Sequence, residues 1–309
     1  MEKKLAIVIP AYKSKYLAET LEALTIQTNQ NFNCFIADDA SPENLENPVE
    51  KFKSNLPINY KRFSDNLGEH SLPGQWSRSI SLSGSEPWIW LLCDDDLPGP
   101  TCVEEFYKAM DLLDEEAINV FRFATLVING EGVPQGAYFI QPVRETGAAF
   151  IARKLEGLTR SSLSEYIFRR SSYLQHGFVE FPLGWHTDDA AWVAYSNPGN
   201  IYTSNDAIVA VRISDDSISG QVQNVEKKFT ASVQFIEWLR KSEFIERTGL
   251  SQHTWLYAYY GIESYYVNKY KKLTLRAFLQ LWRIRMNCVG FWESMKIMKV
   301  LKILFVSRK

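Results

Sequence analysis

Three groups of neighbouring carboxylates carry the clearest chemistry in this 309-residue chain: Asp38-Asp39, the triplet Asp94, Asp95 and Asp96, and Asp188-Asp189. Adjacent acids repel one another, and the repulsion is relieved by water in an exposed turn or by a divalent cation with oxygen ligands. The triplet alone leaves both open. Neither G-x-G-x-x-G nor G-x-x-x-x-G-K-[ST] follows the first apolar run, so the common glycine cradles for phosphate are missing. Phosphate bound here needs another source of positive charge, and a cation on the triplet would supply it. An Asp94-x-Asp96 nucleophile and acid, as in a metal-dependent phosphotransferase or phosphatase, would follow an early strand and precede a small hydroxyl or branched residue. Here Leu97 and Pro98 follow instead, late in the sheet. Thr187-Asp188-Asp189 on its own reads as the capped, charged start of a helix.

The elements around these acids place them. Residues 88–92 are an unbroken aromatic and aliphatic run, a buried strand that ends at the triplet before Pro98, Gly99 and Pro100 forbid regular structure. Residues 5–9 form a first buried strand closed by Pro10, and 32–37 a second that delivers Asp38 and Asp39 to a turn. Helical spacing occupies 16–28, 43–52 and 76–83, with a third strand at 58–63 and a break at Asn66-Leu67-Gly68. Strand and helix in alternation predict a doubly wound α/β sheet, which binds ligands beyond the carboxyl ends of its strands. Pro10 to Tyr12, Asp38-Asp39 and the triplet all fall at such ends. Later, 120–128 reads as one or two strands, 130–159 as irregular, and 207–213 as a strand.

Composition sets the outer bounds. Hydrophobic residues make up 46% and charged residues 23%, enough for a sizeable core, and the net charge of −2 gives no case for nucleic acid. Cys34, Cys93, Cys102 and Cys288 have no C-x-x-C spacing, so neither a disulfide framework nor a zinc site is indicated, which fits a reducing compartment. The first residues lack the apolar length of a signal peptide, and no window reaches the roughly 18 apolar residues of a membrane span. A cytoplasmic location is expected, with peripheral attachment to the inner face of a membrane as an option.

Several stretches together resemble the family 2 glycosyltransferases of the GT-A fold. They are Leu-Ala-Ile-Val-Ile-Pro-Ala-Tyr-Lys at 5–13, Leu-Thr-Ile-Gln-Thr at 24–28, Phe-Ile-Ala-Asp-Asp-Ala-Ser at 35–41, Asn-Leu-Gly at 66–68, and Trp-Ile-Trp-Leu-Leu-Cys-Asp-Asp-Asp-Leu-Pro-Gly-Pro at 88–100. They occur in the family's order and spacing over residues 1–105. The resemblance implies a mixed sheet flanked by helices over 1–222, binding a nucleotide-diphosphate sugar (a UDP-sugar first) and Mn²⁺ or Mg²⁺. It implies a hexosyltransferase that inverts the anomeric centre and serves cell-surface polysaccharide synthesis, with a glycan or lipid-linked acceptor. A catalytically inactive sugar-binding member of the same fold is the alternative.

Carried over residue by residue, Pro10, Ala11 and Tyr12 would lie against base and ribose, and Asp39 would read the base edge with Asp38 beside it. Asp95 is similar to the metal-binding carboxylate of the family's DXD element, with Asp96 next to it and Asp94 facing the ribose or a metal-bound water. A second register makes Asp94 and Asp96 the DXD pair, because the first Asp of the commoner pattern falls at Cys93. Arg78 and Arg62 are candidate diphosphate partners, since a guanidinium fork matches phosphate oxygens. The pair at 188–189 is similar to the family's Glu-Asp element. It would make Asp189 the general base, place Asp188 at the Glu position, and offer Trp185 and His186 to the acceptor sugar. Where the family often has a histidine after its closing strand, this chain has Ser214.

Basic residues outnumber acidic ones by 16 to 6 from Val225 onward, and the periodicity there is helical. Residues 223–309 therefore read as a basic helical region. Lys296, Lys299 and Lys302 recur among apolar neighbours at 291–306, a pattern that suits either a packed helix or one resting on an anionic membrane surface.

Overall fold

The computed structural model describes residues 3–220, 224–246, 249–270, 279, 282, 283, 285 and 286. The first half follows the predicted alternation: β1 (Leu5–Ala11), α1 (Leu17–Thr25), β2 (Phe32–Asp38), α2 (Glu46–Glu50), β3 (Ile58–Arg62), α3 (Leu72–Ile80) and β4 (Trp88–Leu91). There follow β5 (Leu97–Pro98), α4 (Cys102–Glu115), β6 (Val120–Ile128), β7 (Arg144–Glu145), α5 (Gly147–Leu155), β8 (Tyr166–Arg169), α6 (Arg170–His176), α7 (Thr187–Tyr195) and β9 (Ile201–Arg212). Helices α8 (Val225–Lys241), α9 (Glu243–Glu246) and α10 (Gln252–Tyr270) complete the described chain.

The strands form one mixed sheet in the order β3-β2-β1-β4-β8-β6-β9-β5, with β7 also paired to β9. Strands β3, β2, β1 and β4 are mutually parallel, and β8 is antiparallel to both β4 and β6. Side chains alternate between the two faces of a strand. In β1, Ala6 and Val8 therefore join one apolar cluster, while Leu5, Ile7 and Ile9 join the other. Strand β4 divides the same way, Ile89 and Leu91 on one face, Trp88 and Trp90 on the other. Helices α1 and α4 cover the second face. Helices α3, α5, α7 and α8 cover the first, and Phe229, Phe235, Ile236 and Leu239 of α8 share its cluster with Trp192 and Tyr195 of α7.

Several boundaries differ from the sequence expectation. Helix α3 begins at Leu72, ahead of the predicted 76, because Ser71 caps it by accepting from Gly74 N at 2.9 Å. Residues 130–159, expected to be irregular, contain β7 and α5. Thr146 caps α5 through Ala149 N, and Phe150 and Ile151 anchor it in the core. Strand β9 starts at Ile201, six residues before the expected 207, because Thr203 and Ser204 are polar yet buried, Thr203 accepting from Arg122. The expected helix at 291–306, with its lysine stripe, lies outside the described residues. Among the described residues no helix is long and apolar enough to cross a membrane.

Candidate active site

A cleft of about 940 Å³ opens over the carboxyl ends of β1, β2 and β4. Pro10, Ala11, Tyr12, Asp39, Asp94, Asp95, Asp96, Trp185, His186, Asp188 and Asp189 all line it, so residues up to 179 positions apart in sequence meet in one cavity. Three expected site residues, Asp38, Arg62 and Arg78, do not line it. Asp38 is fully buried and occupied by Tyr60 Oη at 2.6 Å, Arg62 at 2.8 Å and Ser41 N at 2.8 Å, so its role is to fasten β2 to β3 and the following turn. Arg62, its partner, also donates to Ser41 O. Arg78 spends its guanidinium on Asp39, Asp65 and Gln75 and lies 4.0 Å from the Phe63 ring centre, which leaves it a positioner of Asp39 and not a fork held out to phosphate.

Asp39 is presented from β2 at 4% exposure, accepting from Leu67 N at 3.0 Å and Gly68 N at 2.8 Å. The Asn66-Leu67-Gly68 break thus has a local cause: a Cβ on residue 68 would stand 2.6 Å from Asp39 Oδ2, a distance real side chains avoid. Asp94 ties the triplet to the end of β1, its Oδ2 accepting from Tyr12 N at 2.9 Å and Lys13 N at 3.2 Å.

Burial pushes the Asp96 carboxyl up to about 6, and burial, then the charges of Asp96 and Asp94, push Asp95 up to about 8. Asp96 accepts from Arg212 N at 2.8 Å, whereas the Asp95 carboxylate has no hydrogen bond or ion pair among the described residues. Arg212, buried at the end of β9, gives no guanidinium hydrogen bond to the triplet carboxylates. It instead donates to the Asp95 carbonyl, the Asn129 and Gly130 carbonyls and Glu19, and stacks 4.1 Å from the Tyr16 ring centre. Cys93 Sγ and one oxygen each of Asp95 and Asp96 lie within 4.8 Å of one another. Carboxylate oxygens this close, one of them unpartnered and both driven toward protonation, suit a divalent cation. Asp95 and Asp96 are the residues that would hold it.

The opposite wall is built from α5, α7 and α8. His186 precedes α7 in the left-handed region at φ 70°, a conformation uncommon outside glycine and worth noticing beside reactive groups. Its Nδ1 lies 2.8 Å from Asp189 Oδ2 and its Nε2 3.1 Å from Ser232 Oγ of α8. Lys154 of α5 also donates to Asp189 Oδ2. Asp189 Oδ1, by contrast, is buried with no hydrogen-bond partner among the described residues. Burial opposes the Asp189 charge, but Lys154 and His186 more than offset it and hold the carboxyl well below the usual range. Asp188 behaves in the opposite way: burial and then the Asp189 charge push it up to about 7. Lys154 and Ser232 are the members of this group that sequence reasoning missed. Lys154 lies in the stretch expected to be irregular, although Thr146 ahead of an apolar Phe150-Ile151-Leu155 spacing is a helix signal.

The architecture is a mixed α/β sheet with acid clusters at its parallel strand ends, facing a second acid pair at a helix start. Residues 6–170, more than half of the chain, match the sequence profile of Glycosyl transferase family 2, and the chain belongs to that family. It is 28% identical over 138 residues to the poly(ribitol-phosphate) beta-N-acetylglucosaminyltransferase TarS of Staphylococcus aureus, spanning 44% of this chain and 23% of that protein. It is 32% identical over 117 residues to the chondroitin synthase of Escherichia coli, spanning 37% of this chain and 16% of that one. These matches therefore span less than a quarter of the relatives' length. Among solved structures, S. aureus TarS 1-349 in complex with UDP-GlcNAc superposes with a TM-score of 0.64 at 17% identity, covering 92% of this chain and 80% of that one. The mannosyltransferase PcManGT from Pyrobaculum calidifontis, in complex with GDP-Man and Mn²⁺, superposes at 0.56 with 10% identity, covering 99% and 81%. At these identities the likeness is one of fold.

Proposed function

We propose that this enzyme transfers a sugar from a nucleotide-diphosphate sugar, a UDP-sugar first, to a hydroxyl of a glycan or lipid-linked acceptor, with inversion, in cell-surface polysaccharide synthesis. The observation that carries the reading is Asp189: one oxygen is fixed by Lys154 and His186, and the other is buried, unpartnered and in the wall of the cleft. An orphaned buried carboxylate oxygen gains most from a hydroxyl that donates to it. That hydroxyl loses its proton to Asp189 Oδ1 as its oxygen bonds to the anomeric carbon and the nucleoside diphosphate leaves. The low basicity that Lys154 imposes on Asp189 keeps it ionised at rest, so it is ready to accept throughout the neutral range. Lys154 then faces a neutral acid once the proton arrives, and it gives a reason for that proton to be shed before the next cycle.

The donor belongs at the other end, with Pro10, Ala11 and Tyr12 against base and ribose, Asp39 at the base edge, and Asp94 holding the β1 loop in place. A divalent cation held by Asp95 and Asp96, Mn²⁺ or Mg²⁺, supplies neutralisation of the diphosphate charge. The names of the relatives, an N-acetylglucosaminyltransferase and a complex with GDP-Man and Mn²⁺, support this division without fixing the sugar. Trp185, His186 and Asp188 face the acceptor.

The test is a pair of isosteric variants. Asp189→Asn is expected to lower transfer by about 10²- to 10⁴-fold with UDP binding unchanged. Asp95→Asn is expected to abolish Mn²⁺ binding in calorimetry along with transfer. Full transfer by both variants against a panel of UDP- and GDP-sugars would remove the assignment.

A further inference from the structure

A second cavity, of about 220 Å³, lies directly behind the acceptor wall between α5, α8 and α10. It shares Lys154, Trp185 and His186 with the main cleft, so its mouth is beside the group that holds Asp189 and away from the triplet. The interior is different in kind. Leu155, Phe229, Phe235, Ile236, Ala258 and Ile262 make its walls, and among the described residues Ser232 alone adds a hydroxyl, already engaged with His186. Phe235 stacks on His186 with ring centres 4.7 Å apart, and Lys228 Nζ sits 4.7 Å from the Trp185 ring centre, so the aromatic mouth is held in place from both sides.

A second observation concerns Gly261, which also lines this cavity. It stands inside the 19-residue helix α10, where glycine costs about 1 kcal/mol relative to alanine. Its φ is not positive, and a Cβ there would meet nothing within 4 Å among the described residues. Among the described residues, neither backbone conformation nor close packing calls for glycine at this position. What its missing side chain provides is room, on the side of α10 that opens to the cavity.

Resting on the reading of Asp189 as the acceptor acid, we propose that this chamber receives an apolar group carried by the acceptor next to its reacting sugar. The volume equals that of roughly seven liquid waters, so it suits an alkyl or acyl segment of about six carbons or one aromatic ring. Position argues for the acceptor over the donor, because the chamber shares Lys154, Trp185 and His186 with the cleft and has in its lining none of the residues at the β1, β2 and β4 ends. Polarity argues against a further sugar ring, whose hydroxyls would find almost no partners there.

The experiment titrates the intact chain with n-alkyl β-D-glucosides from methyl to octyl, each below its micelle concentration, and with phenyl β-D-glucoside. The sugar sets the starting affinity and the chain length sets the slope, so the comparison within the series holds even for a poor sugar. Affinity is expected to rise about two- to fourfold per methylene up to about six carbons and then level off. A gain for phenyl without one for hexyl would assign the chamber to an aryl group and not to a lipid-like chain. Gly261→Leu is expected to flatten the series, whereas Gly261→Ala, which adds one methyl, keeps most of it. Melting curves show that both variants fold, and UDP titration with Mn²⁺ shows that the donor end is unchanged. Equal affinity for methyl, hexyl and phenyl glucosides in the wild type overturns the proposal, as does an unaltered slope in folded Gly261→Leu. Absence of UDP binding to the wild type would instead count against the donor reading, and the alkyl series would still decide the chamber.

Discussion

At one end of the cleft, Asp39 and the 94–96 triplet come just after parallel strands, and most of their partners are backbone amides, from Tyr12, Lys13, Leu67, Gly68 and Arg212, with the Arg78 guanidinium added at Asp39. At the other end, Asp189 is held by Lys154, His186 and, through His186, Ser232, contributed by three different elements. The first arrangement is fixed by strand register. The second exists only when α5, α7 and α8 pack together, so a change far from the cleft can disturb it. The two ends are therefore expected to fail differently.

Asp189→Asn should produce the largest effect, and the contrast with Asp95→Asn sharpens it: the first loses turnover with donor affinity retained, the second loses donor and cation affinity together. Next in size is Arg122→Leu. Arg122 is fully buried among Glu145, Thr203 and the rings of Phe150 and Tyr166, and Glu145 also anchors Arg153 on α5. Breaking a buried ion pair strands its partner, so unfolding by denaturant should show a loss of about 3–5 kcal/mol. At temperatures where the variant stays folded, transfer should fall more than UDP binding, because α5 carries Lys154. Equal losses at both ends would mean that the site is one cooperative unit.

Gly68→Ala tests the other end. The added methyl must displace Asp39, so UDP affinity is expected to drop on the order of tenfold, with turnover at saturating donor little changed. The smallest effect is one of pH. Asp188 has a raised folded pKa of about 7, so the unfolded chain releases this proton first and stability falls as pH rises from about 4 toward 7. Asp189 has a depressed pKa, so its contribution is present above the ordinary carboxylate range and is lost only in strong acid. Asp188→Asn should accordingly flatten the decline in melting temperature between pH 4 and 7, while Asp189→Asn should not.

The same contrast explains what could be read from the sequence. Strand ends announce themselves because a buried run must stop where polar residues begin, which made Pro10 to Tyr12, Asp39 and the triplet legible along with the α/β class. Asp38 and Arg78 misled for one reason: a charge near a site looks available until its partners are known, and each is consumed by another charge. The Asp189 wall was legible only in its local part, Trp185 to Asp189. Lys154 and Ser232 are ordinary surface residue types until the packing of α5 and α8 brings them in. Gly-Val-Pro and Gln-Pro turns at 132–142 hid the capped helix that follows them. Strand β9 was shortened by its buried polar residues, since pattern alone cannot tell a satisfied Thr203 from a solvent-facing one.

Arg212 has a consequence for how the enzyme lives through a catalytic cycle. By latching the Asp95 carbonyl, the Asp96 carboxylate through its own amide, and the Asn129–Gly130 turn, it assembles the triplet from protein atoms alone. Metal sites that are built only when the ion arrives couple its loss to unfolding. A cation held by Asp95 and Asp96 would therefore be an exchangeable part in a socket already fastened by Arg212, able to leave and be replaced without any refolding.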